Sequence, residues 1–344
     1  MKAMMLTGIR EMEMKEAPDP VLENPDDVKI RLLVLGICGS DIHYYTLGRI
    51  GSQIVKYPFT VGHECAGEVI DTGSAVTRVK KGDIVAIEPA MWCGNCDQCL
   101  SGRHHTCRNL KFLGCPGQAE GSLSEYIVMP ENSCYTLPGN LTPDHGAISE
   151  PLAIGIYSAK KAGELKGKKI GILGFGPIGM SVMLAAKAME AGEIYVTDKI
   201  DRRLSIADAE KAAVTANPLK ENIAEKIKQK QPLGLDIVFE CCGQQEAVDQ
   251  AIDILKPGGR LIIAGIPEFK NWTLSVDDTR RREISIQFIR RQIGCVEDAL
   301  EMMNSGKINV SNMVTHRFPF KNAKVAFDLV AGYHDGVMKA MIDF

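Results

Sequence analysis

One segment constrains the fold of this chain more than any other. Residues 168–173 form an apolar run, Gly174-Phe175-Gly176-Pro177-Ile178-Gly179 follows, and residues 180–191 are rich in helix formers without a breaker. A Gly-x-Gly-x-x-Gly pattern alone is a weak signal, but between a strand and a helix it specifies a phosphate-binding turn. Gly174 permits the tight turn, Gly176 lets the backbone approach a pyrophosphate, and Gly179 lets the helix pack closely on the strand. Pro177 and Ile178 belong to the same candidate cofactor loop. The free N–H groups and partial positive charge of the helix start face the phosphates. Asp198 closes the next expected strand, 193–198, where an acid accepts hydrogen bonds from the adenosine ribose and repels a 2′-phosphate. NAD is therefore expected over NADP, with Lys199, Arg202 and Arg203 close enough to soften the preference.

Alternation continues downstream. Helices are expected from Asp201, read as a cap, to about 211, and over 219–230 and 246–255; strands are expected over 235–242, 259–266 and 283–289. Strands alternating with helices of this length imply a parallel, doubly wound sheet. Residues 1 to about 155 differ. Short runs at 28–35, 68–71, 83–88 and 123–128 lie between Gly and Pro turns, the texture of a small β barrel or sandwich. Toward the C-terminus a helix is expected over 296–304, and 337–344 alternates like an edge strand. A chain of 344 residues fits about two domains at roughly 150 residues each.

Composition excludes several functions. Forty basic against 43 acidic residues give a net charge of −3, with no net attraction to nucleic acid or membrane. Apolar runs such as 171–175 and 261–266 fall far short of the ~20 residues of a membrane span. The first residues lack a signal-peptide apolar core, so a cytoplasmic location is expected.

Eleven cysteines are many for such a chain, and the odd number argues against a disulfide framework. Cys93, Cys96, Cys99 and Cys107 cluster in a polar loop, a spacing that lets one segment wrap a tetrahedral ion. Four thiolates fill every position, so this ion is expected to be structural; a redox Cys-x-x-Cys pair would leave Cys99 and Cys107 unexplained. Cys65, Cys115, Cys134, Cys241, Cys242 and Cys295 have no partner spacing and read as small buried hydrophobes.

A further group is weak singly and informative jointly. It comprises Cys38-Gly39-Ser40-Asp41-Ile42-His43, Gly62-His63-Glu64 and Glu150-Pro151, which supply a thiolate, an imidazole and two carboxylates. Three protein ligands with an open position make a catalytic zinc site. With these motifs the chain resembles the zinc-dependent medium-chain alcohol and polyol dehydrogenases over essentially its whole length. His43-Tyr44-Tyr45, Gly48-Arg49-Ile50-Gly51, Val85-Ala86-Ile87-Glu88-Pro89, Val196-Thr197-Asp198 and Thr315-His316-Arg317-Phe318-Pro319 resemble the sorbitol dehydrogenase branch in particular.

The resemblance implies an α/β architecture. A GroES-like β-rich catalytic domain is formed by 1–155 and 291–344, and a Rossmann domain by 156–290, with the active site in the cleft between them. It implies two zincs per subunit. Cys38, His63 and Glu64 match the catalytic ligands, and Glu150 matches a carboxylate that binds directly or through water. Ser40 and His43 match a proton relay, which with Glu64 and Glu150 makes up the catalytic set. Arg203 matches a cofactor-contacting Arg, while Gly265 and Arg290 align with segments lining the nicotinamide and substrate. A charge sum of zero for zinc, Cys38, neutral His63 and one Glu argues that Glu64 or Glu150, but not both, binds directly during turnover. The implied reaction oxidises a secondary alcohol of a polyol to a ketose with NAD, in a homo-oligomer, dimer or tetramer, with no nucleic-acid or membrane partner.

One departure bears on substrate. Arg291 stands where the branch tends to have Tyr after the Arg aligned with Arg290. A cation there can favour a sugar acid or a phosphorylated polyol; the reading preferred from sequence is that it points outward, to a subunit contact or solvent. The same outward face is expected for Arg280, Arg281 and Arg282. Polyol-phosphate and sugar-acid dehydrogenases are thus the alternatives within the class, a threonine-dehydrogenase-like role ranks lower, and a non-catalytic NAD-binding zinc protein is the alternative outside it.

Overall fold

The computed structural model describes residues 1–344. The chain forms two compact units, one of Met1–Glu150 with Val296–Phe344, the other Pro151–Cys295. The first division falls inside helix Pro143–Ala162, between Glu150 and Pro151, so no linker composition marks it. The divisions lie five residues from the expected ones at each junction.

The first unit is built on a seven-stranded sheet. Its path runs Cys134–Thr136, Ile84–Ile87, Glu64–Thr72, Asp27–Gly36, Lys339–Asp343 and Val314–Pro319, and Tyr126–Pro130 also pairs with Asp27–Gly36. Alternate residues Val28, Ile30 and Leu32 of the long strand enter one apolar core with Val69, Val85, Ile87 and Phe327. The C-terminal strand is not an edge strand. It pairs with Val314–Pro319 on one side and Asp27–Gly36 on the other. Both its faces are covered: Ala340 and Ile342 join the main core, while Met341 packs with Val34, Ala66 and Ala147. Its alternation therefore separates two buried faces rather than a wet face from a dry one.

The second unit carries a parallel six-stranded sheet in the order Val214–Ala216, Ile194–Thr197, Ile170–Leu173, Leu235–Glu240, Leu255–Ile263, Ser285–Phe288. This order reverses beside Ile170–Leu173, the topological switch point where such sheets bind ligands beyond their carboxyl ends. Helices Pro177–Ala188, Asp201–Ala209, Ile223–Lys230 and Gln245–Ile254 make crossovers. Asp201 is the first helical residue and not a cap; its carboxylate instead bonds Asn217 and Lys220. The helix expected from 219 starts at Ile223, because Asn222 accepts the Glu225 N–H and caps it there. No helix is long and apolar enough to cross a membrane.

Candidate metal centres and cofactor site

Cys93, Cys96, Cys99 and Cys107 present sulfurs within 4.8 Å of one another, and none is in a disulfide. Sulfur separations are 3.6 Å for Cys96–Cys99, 3.8 Å for Cys96–Cys107 and 3.4 Å for Cys93–Cys107. Zinc–sulfur bonds of ~2.3 Å in a tetrahedron require an edge of about 3.8 Å, so the donor set fits zinc. Backbone N–H groups of Cys93 and Asn109 point at the Cys107 sulfur and that of Arg108 at the Cys96 sulfur. The Asn95 N–H above all holds the Cys93 thiol down at about 6, whereas burial pushes Cys99 up to about 12. Trp92 stacks on His104 at 4.9 Å beside the lobe.

A second cluster arises from strand register. Gly36, ending one strand, pairs with Glu64, which begins the next, and Cys38 follows at the cap of helix Gly39–Leu47. Gly62 turns at φ +100° to deliver His63 and Glu64. The ligand atoms of Cys38, His63 and Glu64 lie within 4.8 Å of one another, and His63 and Glu64 are buried. Ser40 Oγ donates to Cys38 Sγ at 3.3 Å. Glu150 is buried but stands outside this group of three. Burial raises its carboxyl to about 7, with Glu64 adding to the shift and His63 opposing it. His43 is half-buried on the same helix as Ser40.

Two residues that the sequence reading did not single out complete the cluster. Asp41 is fully buried; its Oδ2 accepts the Cys38 N–H at 3.1 Å, and its Oδ1 accepts the Gly62 N–H at 3.1 Å and lies 3.4 Å from His63 Nδ1. It ties the Cys38 and Gly62 segments together and sets a carboxylate beside the His63 ring. Burial works to lower the His63 pKa, but Asp41 and Cys38 outweigh it and hold it well above the usual range. Lys339 donates to Glu64 Oε2 at 2.5 Å and to the Ile37 carbonyl at 3.0 Å. The available signal was a single lysine inside the apolar run Val337-Met338-Lys339-Ala340-Met341-Ile342. At Gly36 a side chain would begin 2.6 Å from Glu64 Oε2, so the ion pair needs glycine there.

In the second unit Gly174 has φ +92°, and a side chain on Gly179 would begin 2.0 Å from the Gly174 carbonyl. Gly176 caps helix Pro177–Ala188, with Pro177 and Ile178 in its first turn. Asp198 reaches back to this loop, accepting Phe175 N–H at 2.7 Å through Oδ2 and Ile200 N–H at 2.8 Å through Oδ1. Arg203 Nη1 is 4.0 Å from Asp198 Oδ2, and both residues are buried. Gly265 contacts the turn at Gly243. Arg290 is exposed just past strand Ser285–Phe288, and Arg291 is half-buried with φ +54° rather than out in solvent. Arg280 and Arg281 are exposed and paired with Asp277.

The six remaining cysteines divide. Cys65, Cys115, Cys134 and Cys295 are buried, as expected, but Cys241 is half-buried and Cys242 exposed. Strand Leu235–Glu240 ends before them, so they occupy the turn beside Gly174 instead of the sheet interior.

Residues 24–139 match the family model described as alcohol dehydrogenase GroES-like domain, and residues 177–305 match that of zinc-binding dehydrogenase. A sorbitol dehydrogenase from Bacillus subtilis is 35% identical over 99% of this chain and 97% of its own. An L-idonate 5-dehydrogenase from Vitis vinifera is 36% identical over 95% and 90%. The solved structure of a zinc-binding dehydrogenase from Sinorhizobium meliloti bound to NADP superposes with a TM-score of 0.91 at 28% identity, over 100% and 99% of the two chains. Two clusters that could hold a metal ion, a dinucleotide fold and full-length likeness agree, and the chain belongs to the zinc-dependent medium-chain dehydrogenases.

Proposed function

We propose that the protein oxidises a secondary alcohol of a polyol to the ketose with NAD as hydride acceptor. The observation that carries this reading is the buried Cys38, His63 and Glu64 group, present beside a separate closed four-cysteine cluster in the same unit. A non-catalytic zinc protein needs only the latter. The full-length likeness to a sorbitol dehydrogenase supports a polyol.

Cys38, His63 and Glu64 would hold the catalytic ion, and Cys93, Cys96, Cys99 and Cys107 the structural one. When bound, zinc supplies Lewis acidity, which for water lowers the pKa from ~15.7 to about 7, and the nicotinamide accepts the hydride. Asp41 orients His63. Lys339 changes the charge sum: its ammonium adds one positive charge to thiolate, carboxylate and divalent ion. With the buried Asp41 carboxylate counted against it, the site stays neutral rather than negative when Glu64 is ionised, and so does not oppose loss of the substrate hydroxyl proton. Ser40, next to Cys38, receives that proton, and His43 passes it to solvent. Asp198 and Arg203 bind the adenosine ribose, and Asp198 favours NAD over NADP. Gly265 and Arg290 contribute to the nicotinamide and substrate ends. The protein works as a homo-oligomer, a dimer or tetramer.

A sugar acid is the second reading, favoured by the half-buried Arg291 and by the likeness to an L-idonate 5-dehydrogenase. The test is a panel of sorbitol, xylitol, galactitol, their phosphates, L-idonate, threonine and simple secondary alcohols, followed as NADH formation. Polyol turnover with NAD is expected. Activity only on primary alcohols, or only with NADP, overturns the proposal.

A further inference from the structure

Glu240 is a fully buried acid that the reaction above does not use. It ends strand Leu235–Glu240 in the parallel sheet. Its Oε1 accepts the N–H groups of Cys242 at 2.8 Å and Gly243 at 2.6 Å. Its carbonyl accepts the N–H groups of Ala264 at 2.9 Å and Gly265 at 3.1 Å. One residue thus ties together the turns that follow two adjacent strands, Leu235–Glu240 and Leu255–Ile263. The turns touch. A side chain on Gly265 would begin 2.2 Å from Gly243 N and 2.5 Å from Glu240 Oε2, and one on Gly243 would begin 2.3 Å from the Ile266 carbonyl. The first turn also abuts the phosphate loop, since a side chain on Gly174 would begin 2.7 Å from Cys242 Cβ.

Both turns lie at the carboxyl end of the sheet beside the switch point, where a dinucleotide lies in such folds. We propose that Glu240 is a positioning residue whose carboxyl clamps turns 241–243 and 264–266 in the shape that receives the nicotinamide half of the cofactor. The inference rests on the reading of NAD at this edge. An apolar side chain could fill the space but would leave the Cys242 and Gly243 N–H groups, the latter buried, without an acceptor. Oε2 has no hydrogen-bond partner, and burial pushes the carboxyl up while the backbone N–H groups of the turn oppose that shift. Glutamine is a close isostere of the glutamate side chain and keeps the accepting oxygen.

The experiment is NADH binding to the full-length, zinc-loaded protein by fluorescence titration, with zinc content and circular dichroism measured alongside. Absence of binding to the wild type would defeat the cofactor reading itself. Given wild-type binding, Glu240→Ala is expected to raise the Kd by about tenfold, the scale of stranding a buried N–H group. Glu240→Gln should restore the Kd to within about threefold of wild type. Gly265→Ala, which forces the two turns apart, should weaken binding like Glu240→Ala, and the double variant should be little worse than either single one. Wild-type affinity in Glu240→Ala, equal weakness in the Ala and Gln variants, or additive losses in the double variant overturns the clamp. If Glu240→Ala does not fold, the other single variants decide: normal binding by Glu240→Gln with weakened Gly265→Ala supports it, and any other pairing overturns it.

Discussion

Lys339 Nζ lies 2.5 Å from Glu64 Oε2, although the two residues are 275 positions apart in the chain, and each side chain is 1% exposed. A charge pair so buried is defined more by the cost of breaking it than by its net worth. Lys339→Met leaves the Glu64 carboxylate in the interior without its counterion. In zinc-stripped protein this variant is expected to lose about 3–5 kcal/mol by urea unfolding, with much of it recovered when Glu64→Gln is added. Equal losses in the single and double variants would show that the lysine contributes through packing alone.

The two metal clusters should fail differently. Cys38→Ser is expected to abolish turnover and lower bound zinc from about two to about one per chain, with circular dichroism unchanged. Cys96→Ser should also lose an ion, but its main effect is a drop of several degrees in unfolding midpoint or loss of assembly. Elemental analysis and thermal melts on the same preparations check both, and an exchange of phenotypes would invert the division.

Metal removal exposes a difference within the four-cysteine lobe. Cys93 titrates at about 6 and Cys99 at about 12. The Cys93 thiolate forms as pH rises through its value and is present at neutral pH, while Cys99 stays protonated. Iodoacetamide should therefore modify Cys93 ahead of Cys99 in chelator-treated protein, and zinc should protect both. Peptide mass spectrometry reads the order.

Glu240 makes stability depend on pH. Burial raises its pKa in the folded chain above that of the unfolded chain. The folded state then holds more protons than the unfolded state between the two values, so this contribution is intact below the usual glutamate range and is lost as pH rises through the folded value. Glu240→Gln has no such ionisation. The difference in unfolding midpoint between variant and wild type should grow in favour of the variant as pH rises above the glutamate range, then level off. A difference constant with pH would contradict the assignment.

Asp198 should set cofactor preference. Replacing it by Ala removes the charge that opposes a 2′-phosphate and leaves Arg203 nearby. The ratio of kcat/KM for NADP to that for NAD is expected to rise on the order of tenfold or more. An unchanged ratio would assign discrimination elsewhere.

Local pattern is sufficient for much of this protein. The strand, Gly174–Gly179 and helix arrangement is legible because each glycine answers a steric need within a few residues. The four-cysteine lobe is legible because one short loop supplies all four sulfurs. The helix expected over 246–255 lies within one residue of Gln245–Ile254, since its apolar period is strong. Boundaries fail where a single side-chain bond decides them, as at Asn222 and Asp201.

The composition of Cys38, His63, Glu64 and Glu150 is readable as chemistry, but not which of them converge. Strand register brings Gly36 opposite Glu64 and so gathers three of the four while Glu150 stands apart. The roles of Asp41, Lys339 and Glu240 belong to tertiary structure alone. Each is a charged group whose meaning comes from partners, and a buried charge selects those partners by proximity in space rather than by spacing in the chain. By itself the sequence determined the architecture, the residue types that could bind a metal and the cofactor class, because those follow from short-range sterics and donor chemistry. Only the folded chain decided how the candidate metal ligands are held and balanced, because burial and distance, which set the energy of a charge, do not exist until the strands have paired.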